Sequence, residues 1–297
     1  MLPTINNQHN TAPYPLQPSP QSSSAQPAKL SEDNKERLLE ILPQIDSSLR
    51  DGTWKDRKFA SVDHKLMPDL VCMANERKAE LNLTYIESAG ELGLSVKNAV
   101  SAGIESARFI ANMGEDGIHF AVMDCRVIDD HVSVILFEPA SLNNMGPAML
   151  AFRAKCSVEK ECAPNTHFNI VEMDIQRSSS ECGIFSLSLA KKLYKDHDQL
   201  TSIHQLNIKD ELPKTYAPHL EADKHLPPAL YKHTQGRGRL GEYLKSNPEA
   251  GSILINKKNQ TIQDRFIDNS ESIDGKTISN SAHKKRLVEY SALMKKV

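Results

Sequence analysis

The sequence predicts an α+β protein: a mixed sheet flanked by helices, with a helical, basic extension at its C-terminal end. Three observations carry this. Apolar residues repeat at helical spacing in several stretches, and short alternating runs stand between them. The two patterns follow one another in mixed order, as helices packed around one central sheet require. After about residue 200, loops rich in Pro, Lys, His and Asp separate shorter helical pieces. With 297 residues, 39% of them hydrophobic and 25% charged, the chain can bury a full core. We divide it into a leading segment 1–30, a core 31–200 and an extension 201–297.

Residues 1–30 hold six of the sixteen prolines, many Gln, Ser and Asn, and one charged side chain, Lys29. Such a segment buries too little apolar surface to offset its ordering entropy. It has neither the basic start nor the apolar centre of a Sec signal peptide. Order is expected from Ser31, an N-cap followed by Glu32 and Asp33. Leu38, Leu42, Ile45 and Leu49 mark one helical face, Pro43 predicts a kink, and Gly52 stands where a C-terminal glycine belongs. A second helix follows Pro68 and runs to about Arg77. Residues 81–86 read as a strand and 95–107 as a helix; 108–112, 118–127 and 131–137 read as strands. Residues 146–161 read as a helix, 168–174 as a strand, 181–195 as a helix and 282–296 as a closing basic helix.

Composition excludes several classes. A formal net charge of -2 argues against nucleic acid as the main partner. No apolar run approaches the roughly 20 residues that cross a bilayer, so stable membrane insertion is not expected. Five scattered cysteines are not a disulfide framework and point to a reducing compartment. Cys156, Cys162 and His167 fit no common zinc spacing, and no metal is expected.

Residues 118–137 carry the chemistry. Two alternating runs flank Asp129-Asp130, the pattern of a two-residue hairpin. A turn centred there pairs residues whose numbers sum to 259. His119 then faces Ala140, and Glu138 shares its face across a diagonal of roughly 7–8 Å, within reach of a hydrogen bond. Cys182 opens a predicted helix, after the polar run 177–180. A helix start favours negative charge on a thiol, an imidazole completes the activation, and a carboxylate orients the imidazole. Gln176 is placed to donate its amide to a developing oxyanion. Cys182, His119 and Glu138 thus make a candidate nucleophile, base and orienting carboxylate for acyl chemistry.

The order His, Glu, Gln, Cys resembles the cysteine-protease clan of the adenovirus and SUMO-specific proteases. The closer resemblance is to the YopJ family of bacterial type III secreted effectors. It is carried by Asp174-Ile-Gln-Arg-Ser-Ser-Ser-Glu-Cys182-Gly-Ile-Phe and Lys191-Lys192-Leu193. Gly117-Ile-His119-Phe, Leu136-Phe-Glu138-Pro139, Tyr231-Lys-His-Thr-Gln-Gly236 and His283-Lys-Lys-Arg286 add to it. It covers residues 31–297 and implies a cysteine-protease-like catalytic core with a regulatory extension.

The resemblance implies an acetyltransferase that moves acetyl from acetyl-CoA through Cys182 to Ser, Thr or Lys of host MAP kinase kinases or related signalling kinases. It also implies activation by inositol hexakisphosphate and delivery by a type III system into the host cytoplasm, with residues 1–30 as the export segment. His119, Arg177 and Ser178 are expected beside CoA. Lys191, Lys192, Lys232, His233, Lys284, Lys285 and Arg286 are the candidate inositol phosphate ligands, since clustered cations suit a polyphosphate. The competing reading is a cysteine protease that removes ubiquitin or a ubiquitin-like modifier, because both chemistries pass through an acyl-cysteine. The basic extension favours the transferase, since a protease core does not need it.

Overall fold

The computed structural model describes residues 30–114, 117–212, 219–273 and 275–296. The expected export segment therefore lies outside the described residues, except for Leu30. Helix α1 (Glu32–Asp51) begins as the cap predicts: the Ser31 side chain accepts from the Asn34 N–H, and Gly52 closes the helix at φ 74°. Pro43 lies inside it.

Two helices differ most from the sequence reading. Helix α2 (Ala60–Arg77) runs straight through Pro68 instead of starting after it. The backbone bond lost at Pro68 is outweighed by the burial of Leu66, Met67, Leu70 and Val71 around it. Helix α3 (Leu92–Ser101) begins and ends earlier than expected. Gly103, at φ 74°, breaks it, so residues 106 and 107 enter a strand.

Five strands form the central sheet in chain order: β1 (Leu83–Ile86), β2 (Ser106–Gly114), β3 (Gly117–Ile128), β4 (His131–Glu138) and β5 (Thr166–Glu172). The pairs β1–β2 and β4–β5 are parallel, and β2–β3 and β3–β4 antiparallel, so the sheet is mixed. Asp129 and Asp130 both take positive φ, 48° and 64°, as a two-residue primed turn requires. The β3–β4 ladder runs from Ile128/His131 to Val122/Phe137, every pair summing to 259 as expected.

Both faces of the sheet are covered. Phe120, Val122, Ile135 and Phe137 join the core formed with α2 and α5 (Cys182–Lys195). Ala121, Met123, Val134 and Leu136 join the core under α3 and α4 (Met145–Glu161). Double coverage is why β3 and β4 carry apolar residues on both of their faces.

Past residue 200 come α6 (Thr201–Ile208), α7 (His219–Asp223), α8 (Arg237–Ser246) and α9 (Ile262–Ile267). A small hairpin of β6 (Ser270–Ile273) and β7 (Lys276–Ser279), which the sequence reading missed, precedes α10 (Ser281–Met294). These elements share the first core: Leu200, Ile203, Leu230, Tyr243, Tyr290 and Leu293 pack in one cluster with Leu38, Leu70 and Leu187. No described helix is long and apolar enough to cross a membrane.

Candidate active site

The site forms at the rim of the sheet where β3 starts and β4 ends, and the N-terminus of α5 meets it there. Hairpin register brings His119 to Glu138. The ring Nε2 lies 3.0 and 2.9 Å from the two carboxylate oxygens, and Glu138 is fully buried. Glu138 is itself held, since Oε1 accepts the Ala140 N–H at 2.8 Å. The His119 backbone N–H donates to Asn112 Oδ1 at 3.2 Å.

Cys182, buried at the start of α5, faces the same imidazole closely enough to help raise its pKa. With Nε2 given to Glu138, Nδ1 is the ring nitrogen left for sulfur. Burial disfavours the imidazolium, but the Glu138 charge and the bonds to Cys182 and Glu138 outweigh it and raise His119 to about 10. Glu138 thereby favours a proton on the ring. A buried thiol, imidazole and carboxylate brought together in this way are the equipment for nucleophilic acyl transfer.

Gly183 lets α5 come close to α2, because a Cβ there would stand 2.9 Å from Asp63 Cβ and Oδ2. Close approach at that point seats Cys182 over a buried polar network that sequence reasoning missed. Arg286 donates to both Asp63 oxygens at 2.9 and 2.8 Å and to the Ser180 carbonyl at 2.6 Å. His283 Nδ1 lies 3.2 Å from Glu181 Oε1, and its Nε2 is 2.9 Å from Ser48 Oγ. Gln235 Oε1 accepts the Arg177 and Ser178 N–H groups at 2.5 and 2.9 Å, and its amide donates to Glu181. Burial opposes charge on Glu181, yet His283, Arg286 and Ser178 hold its carboxyl below the usual range. One signal for Gln235 was available: it stands inside the Tyr231–Gly236 motif. The partners of Arg286 are too distant in sequence to be read.

The remaining expected residues divide. Gln176 donates its amide to the Ser178 carbonyl at 2.6 Å, and its buried Oε1 has no hydrogen-bond partner among the described residues. One amide hydrogen is thus already committed, and one is left for an oxyanion. Ser178 Oγ is turned inward to Glu181 at 2.6 Å, so its side chain faces the interior and not the solvent. Arg177 is paired with Asp174 at 2.8 Å and borders a cavity of about 430 Å³ lined also by Lys55, Arg237 and Lys276.

Among the candidate phosphate ligands, Arg286 is a correction. It is fully buried and bound to Asp63, so it cannot line a surface site. His233 is buried against Ser281 Oγ at 2.7 Å, and burial together with nearby Arg265 and Lys232 keeps it neutral. Lys284 turns away to Asn269 Oδ1 at 3.1 Å. Lys191 and Lys285 converge on Glu289, each at 2.7 Å. What gathers is Lys192, Lys232 and Lys285 with Lys195 and Arg265, two residues not anticipated. Burial and these like charges push Lys232 down to about 8. Among the described residues no His, Cys, Asp and Glu cluster suits a metal, and Cys156 and Cys162 are free thiols.

This geometry defines a class, enzymes that pass an acyl group through an activated cysteine. Comparison narrows it. Residues 38–292 match the family model described as YopJ Serine/Threonine acetyltransferase. The serine/threonine-protein acetyltransferase YopJ of Yersinia pestis is 49% identical over 264 residues, 88% of this chain and 92% of its own; that of Yersinia pseudotuberculosis is 48% identical over the same length. AvrA, solved with IP6 and CoA, superposes with a TM-score of 0.83 at 48% identity, covering 88% of this chain and 98% of its own. HopZ1a, in complex with IP6 and CoA, shares the fold with a TM-score of 0.65 at 18% identity, over 88% and 98% of the two chains. The chain belongs to the YopJ serine/threonine acetyltransferase family, and these matches do not favour the protease alternative.

Proposed function

We propose that Cys182 is a transient acetyl carrier that moves acetyl from acetyl-CoA to serine and threonine hydroxyls of a protein acceptor. The observation that carries this is the Cys182–His119–Glu138 line, with both His119 contacts to the carboxylate at 3.0 Å or less. With the thiol proton already on His119, Sγ attacks the acetyl carbonyl. The same proton goes to the departing CoA sulfur, leaving an acetyl thioester on Cys182. In the second half His119 takes the acceptor hydroxyl proton as that oxygen attacks the thioester, and returns it to Sγ. The free hydrogen of the Gln176 amide stabilises the oxyanion in both halves.

The cavity beside the nucleophile loop, with Lys55, Arg177, Arg237 and Lys276 on its wall, suits the phosphates of CoA, and AvrA and HopZ1a were solved with CoA. The cluster of Lys192, Lys195, Lys232, Arg265 and Lys285 suits inositol hexakisphosphate, the IP6 of those two structures, because five cations crowded together gain most from a polyanion. Residues 31–200 then form the catalytic core and 201–297 the regulatory extension, whose α10 reaches the nucleophile loop through Arg286. Acceptors are host MAP kinase kinases or related signalling kinases, reached by type III secretion into the host cytoplasm with residues 1–30 as export segment.

The test is incubation with labelled acetyl-CoA, a MAP kinase kinase and inositol hexakisphosphate, beside a Cys182→Ala control. Label on the kinase that vanishes in the control is expected. No transfer, with cleavage of a ubiquitin-like conjugate instead, sinks the proposal. Removal of residues 1–25 should spare activity, and truncation at residue 200 should abolish it.

A further inference from the structure

Helix α4 is apolar on two opposite sides. Its inner side, Pro147, Leu150, Ala151, Ala154 and Val158, packs into the core. At about 100° per residue, Met145, Met149, Phe152 and Cys156 fall within about 60° of one another on the outer side. All four are exposed: Met145 83%, Phe152 62% and Met149 37%, with Cys156 also exposed. Single exposed apolar residues are ordinary, but a continuous stripe over three helical turns marks a contact surface. Methionine suits one that adapts to its partner.

The stripe starts at the active site. A Cβ on Gly146 would lie 3.6 Å from His119 Cβ, so Met145 stands at the mouth of the site. A cavity of about 820 Å³ is lined by Ile118, the neighbour of His119, and by Arg153, the neighbour of Phe152. Ile118 is 39% exposed. The stripe therefore runs along α4 away from His119, with the cavity flanking it at Arg153.

We propose that this surface docks the acceptor protein, a folded partner that lays an apolar patch along Met145, Met149 and Phe152 while its hydroxyl reaches Cys182. The occupant follows from position. A protein acceptor has to lie against the rim of the site, and the α4 stripe is an apolar surface continuous with that rim. This rests on the acyl-carrier role proposed above, so the experiment separates the two.

In the full chain, with inositol hexakisphosphate present, a Met145→Ser/Phe152→Asp variant is compared with the native protein. Labelled acetyl-CoA without acceptor reads acetyl-Cys182 formation, which should not change. With a MAP kinase kinase as acceptor, kcat/KM should fall at least tenfold, mainly through KM. Unchanged transfer to the kinase overturns the docking surface, as does an equal loss of acetyl-Cys182. A second readout needs no activity. In the Cys182→Ala chain, saturating kinase should slow alkylation of Cys156 severalfold, with Cys72 on α2 as the internal control. Equal alkylation with and without the kinase overturns the proposal. Concentration-dependent shielding of Cys156 without kinase also does so, and assigns the stripe to a second copy of the chain. If the native protein forms no acetyl-Cys182, the carrier role fails, and the footprint still decides the docking surface.

Discussion

The Asp63–Arg286 pair offers the sharpest test of how the C-terminal helix supports the nucleophile. Arg286 is fully buried and Asp63 is 1% exposed. The guanidinium makes two bonds to Asp63, at 2.9 and 2.8 Å, and Tyr290 adds a third bond to the same carboxylate at 2.5 Å. In Asp63→Asn the Arg286 charge stays buried with no counter-ion on α2. Removing one partner of a buried pair costs about 3–5 kcal/mol. The lower end applies here, because the Asn carbonyl still accepts one bond and Glu181 lies 3.5 Å from Arg286. At roughly 2–4 °C per kcal/mol for a chain of this size, melting should fall on the order of 10 °C.

The paired change Asp63→Leu/Arg286→Met replaces both charges by apolar groups and should recover to within about 1–2 kcal/mol of the native chain. Acetyl transfer should not recover, because the Arg286 bond to the Ser180 carbonyl is lost with the guanidinium. Thermal melts by circular dichroism, urea titrations and acetyl-Cys182 formation read the three quantities. Asp63→Asn melting within about 2 °C of native would refute the reasoning, because a smaller shift does not fit a stranded buried charge. So would a double variant less stable than the single.

Glu138→Gln removes the charge that holds the His119 proton, so acetyl-Cys182 formation should slow by roughly 10²–10⁴, and an unchanged rate would contradict the proposed role. The same pair sets a pH dependence of stability. His119 is raised in the fold from 6.5 to about 10, so its contribution is complete below about 6.5 and is lost as pH rises to about 10; melting curves across that window should fall more steeply for the native chain than for Glu138→Gln. Lys232, pushed down to about 8, must be protonated to hold a polyphosphate. Inositol hexakisphosphate should therefore bind with proton uptake near pH 8 and weaken above it, which calorimetry in buffers of different ionisation enthalpy measures. Gly93→Ala should misfold or aggregate, since its Cβ would stand 2.0 Å from the Ser157 carbonyl oxygen, whereas Gly241→Ala meets nothing within 4 Å and should stabilise α8 by about 0.5–1 kcal/mol; solubility and melting temperature distinguish them.

Local rules carried much of the fold. The Ser31 cap, Gly52, the Asp129-Asp130 turn and the alternation on both sides of it are dictated by side-chain chemistry within a few residues. From them the register that brings His119 to Glu138 was legible, because a two-residue turn leaves one way to pair the strands. Cys182 was legible as a helix start. The predicted helix boundary at Pro68 missed because burial, a tertiary effect, outweighed a local penalty. The β6–β7 hairpin missed because its four-residue strands carry little alternation to detect.

Sequence by itself singled out the three residues that the structure brings together, Cys182, His119 and Glu138, and the hairpin that aligns two of them. Tertiary structure alone decided what surrounds them. Arg286 looked like one more cation in a basic run, yet helical periodicity turns it inward to Asp63 while its neighbour Lys285 faces the surface cluster with Arg265 and Lys195. Direction on a helix becomes inside or outside only once the helix has a neighbour, and for α10 those neighbours, α1, α2 and α5, lie between about 90 and 250 residues away in the chain. No local rule spans that distance, and packing settles it.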